Sequence, residues 1–388
     1  MRSNSSQRAK AAAFVAVLML GSVPVGVAAG PAGASSGKGS GLRQSLERFV
    51  AAPNGPPAIV VVLRRDGRTV LRTAGTSEVG TATAPKIDDH IRVASVAKAF
   101  TGATALSVVA DGLLDLDSTI GEVRPDLPAA WSKVTLAQLL QHTSGIPDFS
   151  GSAAFREALG ASLLTAPPPV TLLSYVADDP LEFRPGSKYQ YSNSDNIAAA
   201  LMVETATGAA FATQLQQRVA QPLRLTGTSL PEGAAMPTPY VHGYTLDPPA
   251  PPEDVSELFA AGWSWASGGV VATPGDANRF IRGYAAGKTT NRSTYKAQFN
   301  FRPGSSEPPG PGTNAAGLAI FRYRTRCGTV YGHTGNTAGY TQFVAATRDG
   351  SRAVSVTVNA QITPKADAQA FRVLRAIYGR AVCAVLDH

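Results

Sequence analysis

Ile91-Arg92-Val93-Ala94-Ser95-Val96-Ala97-Lys98 is the stretch on which the reading of this chain turns. An apolar run leads into Ser95, and Val96, Phe100, Ala103, Leu106 and Val109 follow at helical spacing, which predicts a helix with the serine at its first turn. Residues three apart on a helix are neighbours, so the Lys98 amine is set beside the Ser95 hydroxyl. The helix N-terminus favours negative charge, and an adjacent amine is one way to activate a serine without histidine. The same S-x-x-K spacing recurs at Ser35-Lys38, in a glycine-rich stretch, and at Ser293-Lys296, in a polar segment. Neither has the apolar helical setting.

Outward from this stretch the pattern is mixed. Leu42, Leu46, Phe49 and Val50 predict an amphipathic first helix. The β-branched run from Ala58 to Arg64, the turn Asp66-Gly67 and the segment from Thr69 to Thr73 predict a β-hairpin. From Ser95 to about Leu225 the pattern is mostly helical, and Thr273-Pro274-Gly275-Asp276 signals a further helix start. Strand patterns return from Leu318 to Tyr323, Thr329 to Tyr331, Tyr340 to Thr347 and Ala353 to Val358, before a closing helix from about Lys365 to Val385. The expected fold is α+β: an antiparallel sheet built from about 41–94 and 314–388, flanked by the N- and C-terminal helices, with a mostly helical lobe inserted at about 95–313.

At 388 residues, 44% hydrophobic and 16% charged, the chain has enough apolar surface for a sizeable core. Residues 1–34 read as an export signal, with Arg2, Arg8 and Lys10 before an apolar stretch and small residues at Ala32-Gly33-Ala34; cleavage after Ala29 also fits. Its removal lowers the net charge from +8 to +5. The basic residues are scattered and not interleaved with aromatics, so nucleic acid is not an expected partner. Neither a lipid-accepting cysteine nor a second membrane-length apolar run is found, so a secreted, unanchored protein is expected. In an exported chain Cys327 and Cys383 suggest a disulfide, worth roughly 4 kcal/mol for a loop of about 56 residues. No zinc-binding constellation is present, and neither metal nor cofactor is expected.

Two further clusters carry chemistry. Tyr189-Gln190-Tyr191-Ser192-Asn193 follows the Pro185-Gly186 turn, and an extended backbone there places Tyr191 and Asn193 on one side. Gly332-His333-Thr334-Gly335-Asn336 follows a short strand, where glycine lets a substrate lie close along an edge. In this order, S-x-x-K, Y-x-N and H-T-G resemble the motif set of the penicillin-recognising serine hydrolases, and in closer detail the exported serine D-alanyl-D-alanine carboxypeptidases related to class C β-lactamases. The resemblance extends to Leu139-Leu140-Gln141-His142-Thr143-Ser144-Gly145, Ser267-Gly268-Gly269 and Cys327-Gly328.

The resemblance implies a role for each residue. Ser95 attacks a peptide or lactam carbonyl. The N–H groups of Ser95 and Asn336 form an oxyanion hole, with donors each worth about 3 kcal/mol of barrier. Asn193 holds the substrate amide; Thr334, in the His333-Thr334-Gly335 segment, holds its carboxylate or the donor network; Trp265 stands in the substrate-lining segment. Lys98 and Tyr191 share the serine proton as a coupled pair, whose proton the sequence does not assign. The implied partners are a cell-wall stem peptide or other small peptide as substrate and β-lactams as acylating inhibitors, with a monomer expected. Serine β-lactamase, esterase and silent peptide-binding protein are the competing readings. Two departures bear on specificity: Phe321, followed by Arg322, stands where close relatives carry an arginine that reads the substrate carboxylate, and Asn336 replaces the usual threonine or serine.

Overall fold

The β-branched run Ala58–Arg65 (β1) reverses through Asp66 and Gly67, with φ of 51° and 74°, and returns as Arg68–Gly75 (β2). A short strand Ile91–Arg92 (β3) leads to Ser95. Within the lobe lie Tyr244–Thr245 (β4), Glu253–Asp254 (β5) and Val271–Ala272 (β6), β4 pairing with β5 and β3 with β6. The chain then rejoins the main sheet as Arg302–Pro303 (β7), Thr313–Ala316 (β8), Phe321–Thr325 (β9), Gly328–Thr337 (β10), Tyr340–Ala346 (β11) and Ala353–Val358 (β12). The strand order is β2-β1-β12-β11-β10-β9-β8-β7, and each neighbouring pair is antiparallel. This computed structural model describes residues 40–386, so the expected export signal lies outside the described residues.

Every residue of β11 and β12 is buried, which fits their near-continuous apolar runs: both faces of the sheet centre are covered. On one face the helices Ser40–Val50 and Ala368–Leu386 press Leu46, Phe371, Leu374 and Tyr378 onto Ile59, Phe343 and Val356. Burying a large apolar side chain of this kind contributes about 1.5–3 kcal/mol. The helix Pro274–Ala285 covers the other face. It starts as its sequence signals: the Thr273 side chain accepts from the Asp276 N–H, and Pro274 takes the first helical position. Phe280 of this helix stacks on Phe100 at 3.6 Å, joining sheet and lobe into one core.

In the lobe, the helices Ala97–Ala110 and Asn193–Thr207 pack together, each alanine-rich and buried over most of its length. Short side chains let their backbones approach and bring Lys98 to Asn193. The chain departs from the sequence expectation at two strands. Leu318-Ala319-Ile320 is a turn, with φ of 51° at Ala319, and the strand begins only at Phe321. The segment read as Thr329 to Tyr331 runs on through the H-T-G motif to Thr337. Gly332 permits this continuation, because a Cβ there would stand 1.8 Å from the Val344 carbonyl oxygen. Cys327 and Cys383 are joined in a disulfide that ties the β9–β10 turn to the last helix. Among the described residues, no helix is long and apolar enough to cross a membrane.

Candidate active site

The residues Ala94–Val96 form one 3-10 turn, and the α-helix proper begins at Ala97. Ser95 therefore precedes the helix that was expected to contain it. Ala94 holds a φ of 50°, a left-handed conformation that costs a non-glycine residue about 1–2 kcal/mol. Ser95 is half-buried between buried neighbours.

Lys98 is completely buried. Its Nζ donates to Asn193 Oδ1 and to the Ser267 carbonyl, both at 2.7 Å, and stands 3.2 Å from Ser95 Oγ. Burial pulls its pKa from 10.5 down to about 7, while Asp148, Glu307 and Asp195 act to raise it. Two N–H bonds are thus fixed on two acceptors, and the remaining tetrahedral position points at Ser95.

Asn193 opens its helix rather than continuing an extended strand. Its Nδ2 donates to Asp148 Oδ2 at 2.9 Å and to Ser150 Oγ at 3.1 Å, and its backbone N–H also reaches Asp148 Oδ2 at 3.1 Å. A carboxylate only accepts, so Asp148 fixes which end of the amide faces Lys98. Both ends of the Asn193 amide are engaged within the chain.

Tyr191 is buried, and its hydroxyl makes no hydrogen bond of ordinary geometry, although Ser95 is near enough to favour the phenolate. Burial outweighs that effect and drives the Tyr191 pKa well above its usual value. Lys98 Nζ meets the ring, 5.0 Å from its centroid. Burial thus acts in opposite senses on the two pKa values, favouring the neutral phenol and the neutral amine.

From Gly335 onward β10 runs against the Ser95 turn. A Cβ on Gly335 would lie 2.5 Å from the Val93 oxygen and 3.0 Å from the Ser95 nitrogen, so only glycine lets strand and turn meet. β9 pairs with β10 only as far as Gly332, which leaves the following stretch of edge to face Ser95. Three neighbouring side chains are engaged within the chain. The Thr334 hydroxyl donates to the Pro308 carbonyl at 2.5 Å. His333 is buried between Tyr191 and Phe321, and burial brings its pKa to about 3, so it is a neutral wall residue. The Asn336 side chain turns away, donating to Thr341 Oγ1 and the Ile362 carbonyl, which leaves only its backbone on the site side.

Trp265 belongs to the core, packing edge-on against Phe211 at 5.5 Å, rather than to a substrate wall. Phe321 is buried, and the guanidinium of Arg322 lies over the Phe301 ring, at 4.8 Å. Two surface cavities, of about 440 and 310 Å³, are lined by Leu127 and Val170 in the lobe and by Arg322 and Arg324 at the sheet edge. Neither of these two is lined by Ser95.

Sequence reasoning missed Asp148 and Ser150. Their signal was indirect: a buried Lys-Asn contact needs a further acceptor to fix the amide. It also passed over Asp195, which contacts His142 Nδ1 at 2.9 Å and accepts the Ser144 hydroxyl at 2.5 Å.

An antiparallel sheet flanked by helices, with a buried lysine bonded to a serine where the lobe meets β10, defines a serine hydrolase of the penicillin-recognising class. The chain belongs to the β-lactamase family, whose sequence model matches residues 46–378. It is similar to the D-alanyl-D-alanine-carboxypeptidase/endopeptidase AmpH of Escherichia coli K12, 25% identical over 247 residues that cover 62% of this chain and 60% of AmpH. Esterase EstB of Burkholderia gladioli is 34% identical over 175 residues, covering 42% and 44% of the two chains. The chain thus spans about 60% or less of the length of these curated relatives. Among solved structures, a D-stereospecific amidohydrolase from Streptomyces sp. matches with a TM-score of 0.75 and 28% identity, over 87% of this chain and 98% of the other.

Proposed function

We propose that this chain is an exported serine hydrolase that cleaves peptide or amide bonds of D-amino acids through an acyl-enzyme on Ser95. The observation that carries the reading is Lys98, buried, with two N–H bonds fixed and its pKa brought to about 7. In the neutral amine the position facing Ser95 is a lone pair, which accepts the hydroxyl proton as Oγ attacks the carbonyl carbon. The oxyanion falls to the N–H groups of Ser95 and Asn336. As the C–N bond breaks, the proton held by Lys98 returns to the leaving nitrogen through the Tyr191 hydroxyl. A water then attacks the ester, with the same amine as base. The Cys327–Cys383 disulfide supports an oxidising, extracellular setting.

The sequence expectation of a D-Ala-D-Ala carboxypeptidase is one member of this class, and AmpH lends it support. A strict demand for a substrate carboxylate is less well supported, since Thr334 is bonded to Pro308 and Phe321 offers no charge. The Streptomyces relative, a D-stereospecific amidohydrolase, favours the wider substrate range. Mass spectrometry of the protein with benzylpenicillin tests the acylation: an adduct on Ser95, absent in Ser95→Ala, is expected, and no adduct on folded protein refutes it. D-alanine release from a D-Ala-D-Ala peptide is then compared with hydrolysis of D-alanine amide. Cleavage of the peptide alone restores the strict carboxypeptidase; cleavage of neither, with rapid turnover of esters, makes the protein an esterase.

A further inference from the structure

Tyr191 sits on a segment with no regular secondary structure, and its hydroxyl makes no hydrogen bond of ordinary geometry. What holds it is His142. The Gln190 N–H donates to the His142 carbonyl at 2.9 Å, and the Ser192 N–H reaches His142 Nδ1 at 3.4 Å. One residue thus tethers the chain on both sides of Tyr191. The imidazole also lies against the phenol ring, with centroids 4.5 Å apart and planes inclined by 34°. His142 adopts a φ of 55° in doing so.

The imidazole is held in turn. Asp195, buried in the first turn of its helix, contacts Nδ1 at 2.9 Å through one carboxyl oxygen and takes the Ser144 hydroxyl at 2.5 Å on the other. Ser144 Oγ accepts the Ile146 N–H at 2.9 Å. Burial lowers the His142 pKa and raises that of Asp195, so both are pushed toward their uncharged forms. The Asp195 contact and the Ser192 N–H both fall on Nδ1, which fixes the ring behind Tyr191.

We propose that His142, clamped by Asp195, is a positioning residue that fixes the Tyr191 hydroxyl on the Ser95 side of the site. The inference rests on the reading of Tyr191 as a proton carrier. It gives the H-T-S segment a part in turnover although its side chains bond to Asp195 and Gln138 and not to Ser95.

A double-mutant cycle with an activated ester tests it. His142→Asn suits the left-handed backbone but removes the ring. It is expected to lower kcat about 30-fold with KM unchanged, since a catalytic group misplaced by an ångström loses rate on that order. In the Tyr191→Phe background the same change is expected to lower kcat less than about 3-fold, because nothing is left to position. An equal loss in both backgrounds overturns the proposal and makes His142 a structural residue. An unchanged kcat in Tyr191→Phe alone overturns the reading of Tyr191 and the proposal with it. If His142→Asn gives no cooperative melt, Asp195→Ala in the two backgrounds supplies the same comparison: a loss confined to the Tyr191 background supports the proposal, and an equal loss in both overturns it.

Discussion

Replacing Lys98 by methionine separates what the lysine does for activity from what it does to stability. The folded pKa of about 7 lies below the ordinary 10.5. The group is therefore neutral in the native state and protonated in the unfolded state between those values. Below pH 7 both states carry the charge, and the native state bears the full penalty of burying it. As pH rises from 7 toward 10.5 the unfolded state binds more protons than the native one, so stability increases. Integrated between pH 7 and pH 9, the gain is about 2 kcal/mol. Lys98→Met lacks the titration, and the hydrogen bonds it loses to Asn193 and Ser267 affect it equally at both pH values. Urea unfolding of the two proteins at pH 7 and pH 9 reads the difference directly. The wild type is expected to gain about 2 kcal/mol relative to the variant, while Ser95 acylation in the variant falls about 1,000-fold. Parallel stabilities at the two pH values refute the depressed lysine, whatever happens to activity.

Asp148→Asn removes a charge that raises the Lys98 pKa, so the acid limb of the acylation rate is expected to move to lower pH by about one unit, read from a pH–rate profile. Gly335→Ala forces a Cβ to 2.5 Å from the Val93 oxygen; separation of β10 from the Ser95 turn is expected to cut acylation about 100-fold, checked by penicillin labelling. Thr334→Val removes the bond to Pro308 and is expected to cost about 1–2 kcal/mol in chemical denaturation with KM for a D-Ala-D-Ala peptide unchanged; a tenfold rise in KM would restore Thr334 as a substrate ligand. Cys327→Ala with Cys383→Ala opens a loop of 56 residues and is expected to lower stability by up to about 4 kcal/mol, measured the same way.

The hairpin of β1 and β2, the Thr273-capped helix and the strands β11 and β12 were legible because turn chemistry, capping and β-branched runs all act locally. The long strand β10 was not. Gly332 and Gly335 weaken any strand pattern, and what makes them strand residues is close contact with Val344 and with Val93, which only the fold reveals. Ser95, Lys98, Tyr191 and Asn193 could be picked out by spacing, and the structure brings them together. Their hydrogen-bond assignments could not be read in this way. Thr334 and Asn336 carry the right groups at the right positions, yet Pro308 and Ile362, remote in sequence, take up their hydrogen bonds. Trp265 is a core residue for the same reason: Phe211, more than fifty positions away, decides where the indole lies.

The pairing of β1 with β12 has a bearing on how the molecule is assembled. Ile59 lies opposite Val358, about 300 residues downstream, and closing a flexible loop of that length costs roughly 5 kcal/mol. A lobe that folds first shortens that loop, so forming the lobe before closing the sheet is the less costly order. Until β12 is made, the hairpin exposes the apolar edge of Val60, Val61 and Val62, which leaves it open to aggregation. The same topology bears on the site. Ser95 is synthesised near the start of the lobe and Gly335 arrives only with β10, so a chain cut short before that strand carries the nucleophile and its lysine without the wall that completes them. The Ser95 turn is therefore walled only once β10 is in place.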